Sequence, residues 1–336
     1  RNAIAGGAFF VQDVMVQNVP FRHFLHQALA EGRLPLWEPA VNCGFPLLAE
    51  GQVGALYPPN WIGALLLSPA AAVTWSVLCH LWLAAAGTWG FLRALGCGRL
   101  PALTGALTYG LGGYLVVRAM SPNFVAAAAL LPILFLLLET GLSRGRPLRV
   151  GLAGGVVALQ LLAGHPQAAA YGALAAAGYG ALRVWQLGLP RPAGAGLLAL
   201  TGVAMSAVQV LPTYELAAQS LRADGIDYGQ FVNMSLPPER LVSLLLPDFF
   251  GNPATGSYWG RQAGFFIQLC PYVGVVGLIL ALIAVRESRS PVRGAFAVLA
   301  VLGLGLSLGE YSGLFQALHQ IPVLNQLRIP TRFLLW

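Results

Sequence analysis

From Pro69 to Leu92 no side chain carries a formal charge, and the same holds from Ala119 to Leu138, from Val150 to Leu182 and from Pro192 to Tyr214. A helix needs about 20 apolar residues to cross the hydrocarbon core of a bilayer. In lipid every backbone N–H and C=O must be paired, and a helix does this within its own segment. Only 9% of the residues are charged and 57% are apolar, whereas soluble domains carry roughly 25% charged residues. The chain therefore reads as all-α, a polytopic integral membrane helix bundle. Eight complete spans are expected, at about 72–92, 101–119, 122–140, 147–163, 167–187, 195–212, 268–285 and 293–309. Residues 61–71 read as an interfacial or re-entrant piece. Residues 3–11 are too short to cross and read as the end of a helix begun elsewhere, and Arg332–Trp336 reads as the start of another. The expectation is one transmembrane domain over residues 1–336, with partial spans at both ends, cut from a longer protein.

The basic residues set the orientation. All 19 are Arg. Threading eight spans puts Arg93, Arg99, Arg144, Arg146, Arg149, Arg183, Arg191, Arg286, Arg289 and Arg293 on one side, accompanied only by Glu139 and Glu287. The other side holds the remaining nine Arg and ten acids. Arg-rich short loops stay cytoplasmic. The two long polar loops, 12–71 and 213–267, then both fall on the extracytoplasmic face. The formal charge of +7 is accounted for by the inner turns, with no nucleic-acid partner. The expected location is a bacterial cytoplasmic (inner) membrane, multi-pass, with the active site on the extracytoplasmic face.

Several chemistries find no motif. Cys43, Cys79, Cys97 and Cys270 lack the CxxC spacing of a zinc site or a disulfide framework. There is no HExxH, no Walker A loop, no GxSxG elbow and no dinucleotide fingerprint in context. No metal site is expected.

The polar groups that remain gather in the outer segments. Asp13 and Gln17 are four apart and share a helix face, and Pro20 is expected to end or kink that helix. Asp13 is either a base or ligand-binding carboxylate at the membrane surface, or a helix-end acid facing water. Gly164-His165-Pro166-Gln167 is a tight turn between two apolar helices, with Pro166 suited to the first position of the next helix. His165 and Gln167 either bind a sugar or phosphate, or merely cap a hairpin. Glu215 and Arg222 are seven apart, on one face if the helix continues; they read as a phosphate site or a surface ion pair. The segment from Leu246 to Gly251, with Tyr258-Trp259-Gly260, offers aromatics that stack on pyranose rings or belong to an interfacial belt. Arg328 and Arg332 either clamp a lipid phosphate or anchor the chain to headgroups.

In order along the chain, these strings resemble the YfhO family of bacterial membrane proteins. They are Asp13-xxx-Gln17-xx-Pro20-Phe21, Gly32-Arg-Leu-Pro35-Leu-Trp37, Gly44-Phe-Pro46-Leu, Gln52 with Leu56-Tyr57-Pro58, Gly164-His165-Pro166-Gln167, Pro212-xx-Glu215-xxxx-Ser220-x-Arg222, Leu246-Pro247-Asp248-Phe-Phe-Gly251 and Arg328-x-Pro330-x-Arg332. The resemblance implies a GT-C-like glycosyltransferase that moves a sugar from a polyprenyl-phosphate donor, such as undecaprenyl phosphate, to an extracytoplasmic glycan or teichoic-acid-like acceptor. It implies that Asp13 is the essential outer-loop acid. Asp13 has no adjacent acid, as some GT-C relatives have, so a divalent metal finds no support in these residues. Gln17, His165, Gln167 and Glu215 would bind substrate, while Arg222, Arg328 and Arg332 would meet the lipid phosphate. The alternative is a transporter or flippase of a lipid-linked glycan without catalytic activity, which would place ionisable groups at the bilayer midplane. A membrane scaffold is the third reading; it predicts no pocket joining residues 12–60, 164–167 and 212–260.

Overall fold

The computed structural model describes residues 13–189, 193–220, 225–260, 266–287, 291–321, 324–326 and 328–336. Among these the architecture is helical, and the one pairing of extended backbone is an isolated bridge between Glu38 and Phe45. The expectation for residues 3–11 lies outside the described residues.

A π-helical turn, Val14–Asn18, leads directly into α1, Val19–Ala30. Pro20 does not end this helix. It sits in the first turn of α1, where its missing N–H loses no partner. The short α2, Pro58–Leu66, is followed at Ser68 by α3, Pro69–Ala94, whose first turn Ser68 caps through its hydroxyl. The next apolar stretch is broken where a continuous span was expected. α4, Arg99–Gly110, stops at Leu111, one further turn forms over Gly113–Val116, and a 3-10 turn runs over Val117–Met120. Gly112 permits the break: a Cβ there would lie 2.4 Å from the Thr108 carbonyl oxygen.

Pro132 likewise divides α5, Pro122–Ala129, from α6, Leu131–Leu142, because it cannot donate back into the preceding turn. Then come α7, Pro147–Leu162, α8, Pro166–Gln186, and α9, Ala193–Ala218, which runs through Pro212. α10, Val275–Glu287, starts later than the apolar stretch does, since Pro271 and the left-handed Gly274 (φ 91°) interrupt it. α11, Pro291–Ser307, α12, Gly313–His319, and a 3-10 helix, Pro330–Leu335, complete the order. Among the described residues three helical segments are long and apolar enough to cross a membrane: Pro69–Ala94, Arg99–Met120 and Pro122–Leu142. Shorter apolar helices lie at Pro147–Leu162, Val275–Arg286 and Val292–Ser307.

Small residues bring helices together where no hydrophobic difference from lipid can drive them. α7 and α9 approach so closely that a Cβ on Gly154 would lie 2.1 Å from Thr201 Oγ1, and that hydroxyl donates to the Gly151 carbonyl at 2.9 Å. At one end of the bundle Phe91, Phe135, Tyr179 and Phe296 interlock, each ring within 5.8 Å of its neighbours. Beside them Arg183 grips Glu139 through two bonds of 2.7 and 2.8 Å, and Tyr179 donates to the same carboxylate.

At the other end the segment before α2 meets the α7–α8 turn and the end of α9. Asn123 Nδ2 donates to the Gly164 carbonyl at 3.1 Å, and a Cβ on Gly164 would lie 2.5 Å from the Gly51 carbonyl oxygen. Gln209 and Thr213, on α9, donate to the carbonyls of Leu48 and Ala49 at 2.8 and 2.7 Å. Asn18 reaches the Met120 carbonyl at 3.5 Å. His80, the ionisable group inside α3, is structural: its Nδ1–H donates to the Ser76 carbonyl and its Nε2 accepts from the Tyr57 hydroxyl at 2.8 Å. It thereby ties the Tyr57–Pro58 turn to the bundle.

Candidate functional site

The site grows out of the α7–α8 turn. Pro166 occupies the first turn of α8, as its fixed φ favours, and His165 caps the helix, its Nδ1 accepting from the Ala168 N–H at 3.1 Å. A nitrogen that accepts carries no proton, so the ring is the neutral tautomer with Nε2–H as its donor. Burial first, then the positive charges of Arg332 and Arg118, hold His165 well below the ordinary imidazole range. Phe124 stands edge-on to its ring at 5.1 Å.

Gln167 binds no open space. Its amide nitrogen donates to the Tyr171 hydroxyl at 2.7 Å and to the Arg328 carbonyl, and its amide oxygen accepts from the Arg332 guanidinium. Its role here is to hold Arg332. The segment carrying both arginines is docked on α8: Phe333 stacks on Tyr171 at 4.0 Å, and Trp336 Nε1 donates to the Tyr171 carbonyl at 2.9 Å. Between the arginines, Ile329 is left-handed (φ 68°), which for a β-branched residue is a strained conformation. Its burial and the docking of the residues that follow hold it there.

Sequence reasoning did not single out Arg118. The break at Leu111–Gly112 redirects the chain, so that the Tyr114 N–H donates to the Tyr272 carbonyl at 3.2 Å and Arg118 turns inward. Arg118 is 2% exposed. Its guanidinium lies 3.7 Å over the Tyr114 ring and 5.1 Å from Phe124, and it donates to the Tyr114 carbonyl and to Gln268 Oε1 at 3.1 and 3.2 Å. The Tyr114 hydroxyl, at the far edge of that ring, donates to the Arg332 carbonyl at 3.1 Å. Burial, and after it the neighbouring Arg118 and Arg328 charges, push Arg332 down to about 10. Among the described residues no carboxylate lies within 4.0 Å of Arg118 or Arg332. An Arg closing an uncharged apolar run, with an aromatic four residues earlier, was the signal that could have found it.

Tyr114 and Phe333 are shared with a cavity of about 1010 Å³. Its mostly apolar wall runs from Leu115, Phe333 and Trp336 past Phe91, Phe135 and Phe296 to Glu139, Arg183 and Arg293. The cavity thus joins the end that carries Arg118 and Arg332 to the end where Glu139 neutralises Arg183.

No family model, curated protein or solved structure matches the chain. The chemistry of the site must therefore carry the functional argument.

The remaining sequence candidates are scattered. Asp13 is exposed; its carbonyl accepts from Asn18, and among the described residues its carboxylate has no hydrogen bond or ion pair. Gln17 lies half-buried one helical turn on. Asn18, which reaches Met120, ties this stretch to the turn that carries Arg118. Glu215 is exposed near the end of α9. That helix ends at Ala218, and Arg222 lies outside the described residues. The aromatic loop forms a separate cleft of about 500 Å³ lined by Glu239, Arg240, Phe249, Phe250 and Trp259, with Arg240 4.3 Å over the Phe250 ring. Among the described residues no three His, Cys, Asp or Glu side chains converge as metal ligands do.

Proposed function

We propose that the chain is an integral membrane glycosyltransferase of GT-C-like architecture, with eight spans and two extracytoplasmic loops, which takes a sugar from a polyprenyl-phosphate donor. The observation that carries this reading is that Arg118 and Arg332, with no carboxylate within 4.0 Å among the described residues, both border Tyr114 in the wall of a long apolar cavity. A lipid phosphate has that form: an apolar chain for the cavity and an anion for Arg332. Guanidinium groups bind phosphoryl oxygens through paired N–H donors, and in a water-poor site they stabilise developing charge more than in water. At the opposite end Glu139 pairs with Arg183 and Arg293 donates to the Ala284 carbonyl; in this reading the head group lies at the Arg332 end. In this reading that end faces outward in the bacterial cytoplasmic membrane, and the acceptor is a glycan or teichoic-acid-like polymer.

Asp13 is then the base. The acceptor hydroxyl attacks the anomeric carbon, its proton passes to the Asp13 carboxylate, and the bond from that carbon to the phosphate oxygen breaks with inversion. Asp13 is exposed, so the acceptor must reach the carboxylate from the aqueous side. Gln17 and the His165 Nε2–H orient the sugar or acceptor, and Gln167 acts through Arg332. General-base assistance is worth about 10²–10⁴-fold, and Asp13→Asn should lose that much transfer to an added acceptor while the protein elutes unchanged on gel filtration. Transfer at the parental rate by Asp13→Asn would remove the base and with it the scheme.

A cavity that reaches both ends of the bundle also suits a flippase for a lipid-linked glycan. Reconstituted vesicles separate the two readings: a flippase moves the lipid head group across the bilayer with no acceptor present and no sugar transferred.

A further inference from the structure

Arg118 and Arg332 both border Tyr114, a residue of the cavity wall: Arg118 lies over its ring, and the Tyr114 hydroxyl donates to the Arg332 carbonyl. Arg332 is half-buried and held by Gln167; Arg118 is buried and lies over the Tyr114 ring. Their hydrogen-bond acceptors are the Tyr114 carbonyl, Gln268 and Gln167, all neutral. Stripping an ion of water without a counter-charge is expensive, and two like charges together make it more so. Arg22 differs in kind: it is also buried, but it donates to the Val53 carbonyl with no second cation among its contacts.

We infer that Arg118, together with Arg332, makes this end of the cavity selective for a lipid-borne phosphate monoester over a phosphodiester. This selectivity rests on the lipid-phosphate reading above and deepens it. The donor is a diester with one negative charge. When the acceptor oxygen bonds to the anomeric carbon, the electron pair of the broken bond stays on the phosphate oxygen and the acceptor proton sits on Asp13. The lipid product is then a monoester with a second charge. One cation suffices for the donor; the second is matched to the charge that appears during transfer, and interactions stronger at that stage than in the ground state are those that accelerate a reaction. Arg118 is a positioning residue for that charge, since its burial keeps it from touching the substrate. The same selectivity predicts inhibition by the product.

The full chain in detergent micelles can be titrated with farnesyl phosphate and with its methyl diester, which share a chain and differ by one charge. The monoester should bind about tenfold more tightly, the scale set by one extra charge near a cation at a partly buried site. Arg118→Gln should abolish that preference while leaving diester affinity within about threefold, and Arg118→Lys, which keeps the charge, should retain it. Should Arg118→Gln fail to fold, Gln167→Glu tests the same point by giving Arg332 the carboxylate it lacks; the preference should again vanish. Arg22→Gln should leave it intact. A preference that survives Arg118→Gln or Gln167→Glu overturns the inference, as does equal loss in Arg118→Gln and Arg118→Lys, which marks a structural role. Inorganic phosphate should compete weakly; binding as tight as that of farnesyl phosphate would show a free-phosphate site and refute the lipid source. Preference without any sugar transfer would sink the glycosyltransferase reading and leave this seat standing, whereas transfer without preference would do the reverse.

Discussion

His165 shows how a single ring can be read twice. As a sequence feature it is a ligand or a cap; in the structure its Nδ1 is committed to the cap, and only Nε2–H is left for chemistry. Its folded-state pKa lies below the unfolded value, so the fold favours the neutral ring. The sign follows: as pH falls below about 6.5 the unfolded chain takes up a proton that the folded ring refuses, and stability declines. His165→Asn retains a capping acceptor without titrating. The slope of thermal stability between neutral pH and about pH 5 should flatten in that variant; an unchanged slope would show that other groups set it. Gln167 makes a related point. An amide next to a turn looks like a sugar ligand, yet its three contacts are all to protein, and its effect on substrate passes through Arg332. No local pattern distinguishes these cases, because the partner lies 165 residues away in the chain.

Among the elements, glycine decides where the bundle ends can meet. Gly164 sits at φ 90°, and a Cβ there would strike the Gly51 carbonyl oxygen at 2.5 Å. Gly178, inside α8, has open space around its missing Cβ. Gly164→Ala should therefore destabilise the protein by about 2 kcal/mol or more, from backbone strain and the clash together. Gly178→Ala should stabilise it by about 0.5–1 kcal/mol, from helix propensity alone. Thermal unfolding of the two variants in one detergent tests the pair, and equal effects would refute the account of how the turn docks. Gly112 works differently. It breaks an apolar stretch that reads as one span, and beyond the break Tyr114 enters the cavity wall with Arg118 over its ring. A helix-period pattern cannot register such a break, since the residues on both sides remain apolar.

For the whole molecule the open question is which end faces the cytoplasm. Arg93, Arg183 and Arg293 mark one end by their positions at helix termini, and the Arg118–Arg332 cluster marks the other. Cys43 and Cys97 report on the two ends: Cys43 is exposed in the segment before α2, and Cys97 lies in the turn between α3 and α4. In variants keeping one cysteine each, a membrane-impermeant maleimide should label Cys43 in intact cells and Cys97 only after permeabilisation. The opposite pattern would invert the topology and place the arginine cluster inside. The sequence by itself determined the helical class and the approximate places of the apolar segments, because hydrophobic runs and Arg-bearing turns are local properties that a bilayer reads directly. It also marked His165, Gln167, Arg328 and Arg332 as candidates. Only the tertiary structure decided that Gln167 serves Arg332, that Arg118 and Arg332 both border Tyr114, and that Asp13 stays exposed. The physical reason is that an uncompensated buried charge belongs to no single segment; it exists only when helices distant in sequence close around it and leave no acid within reach.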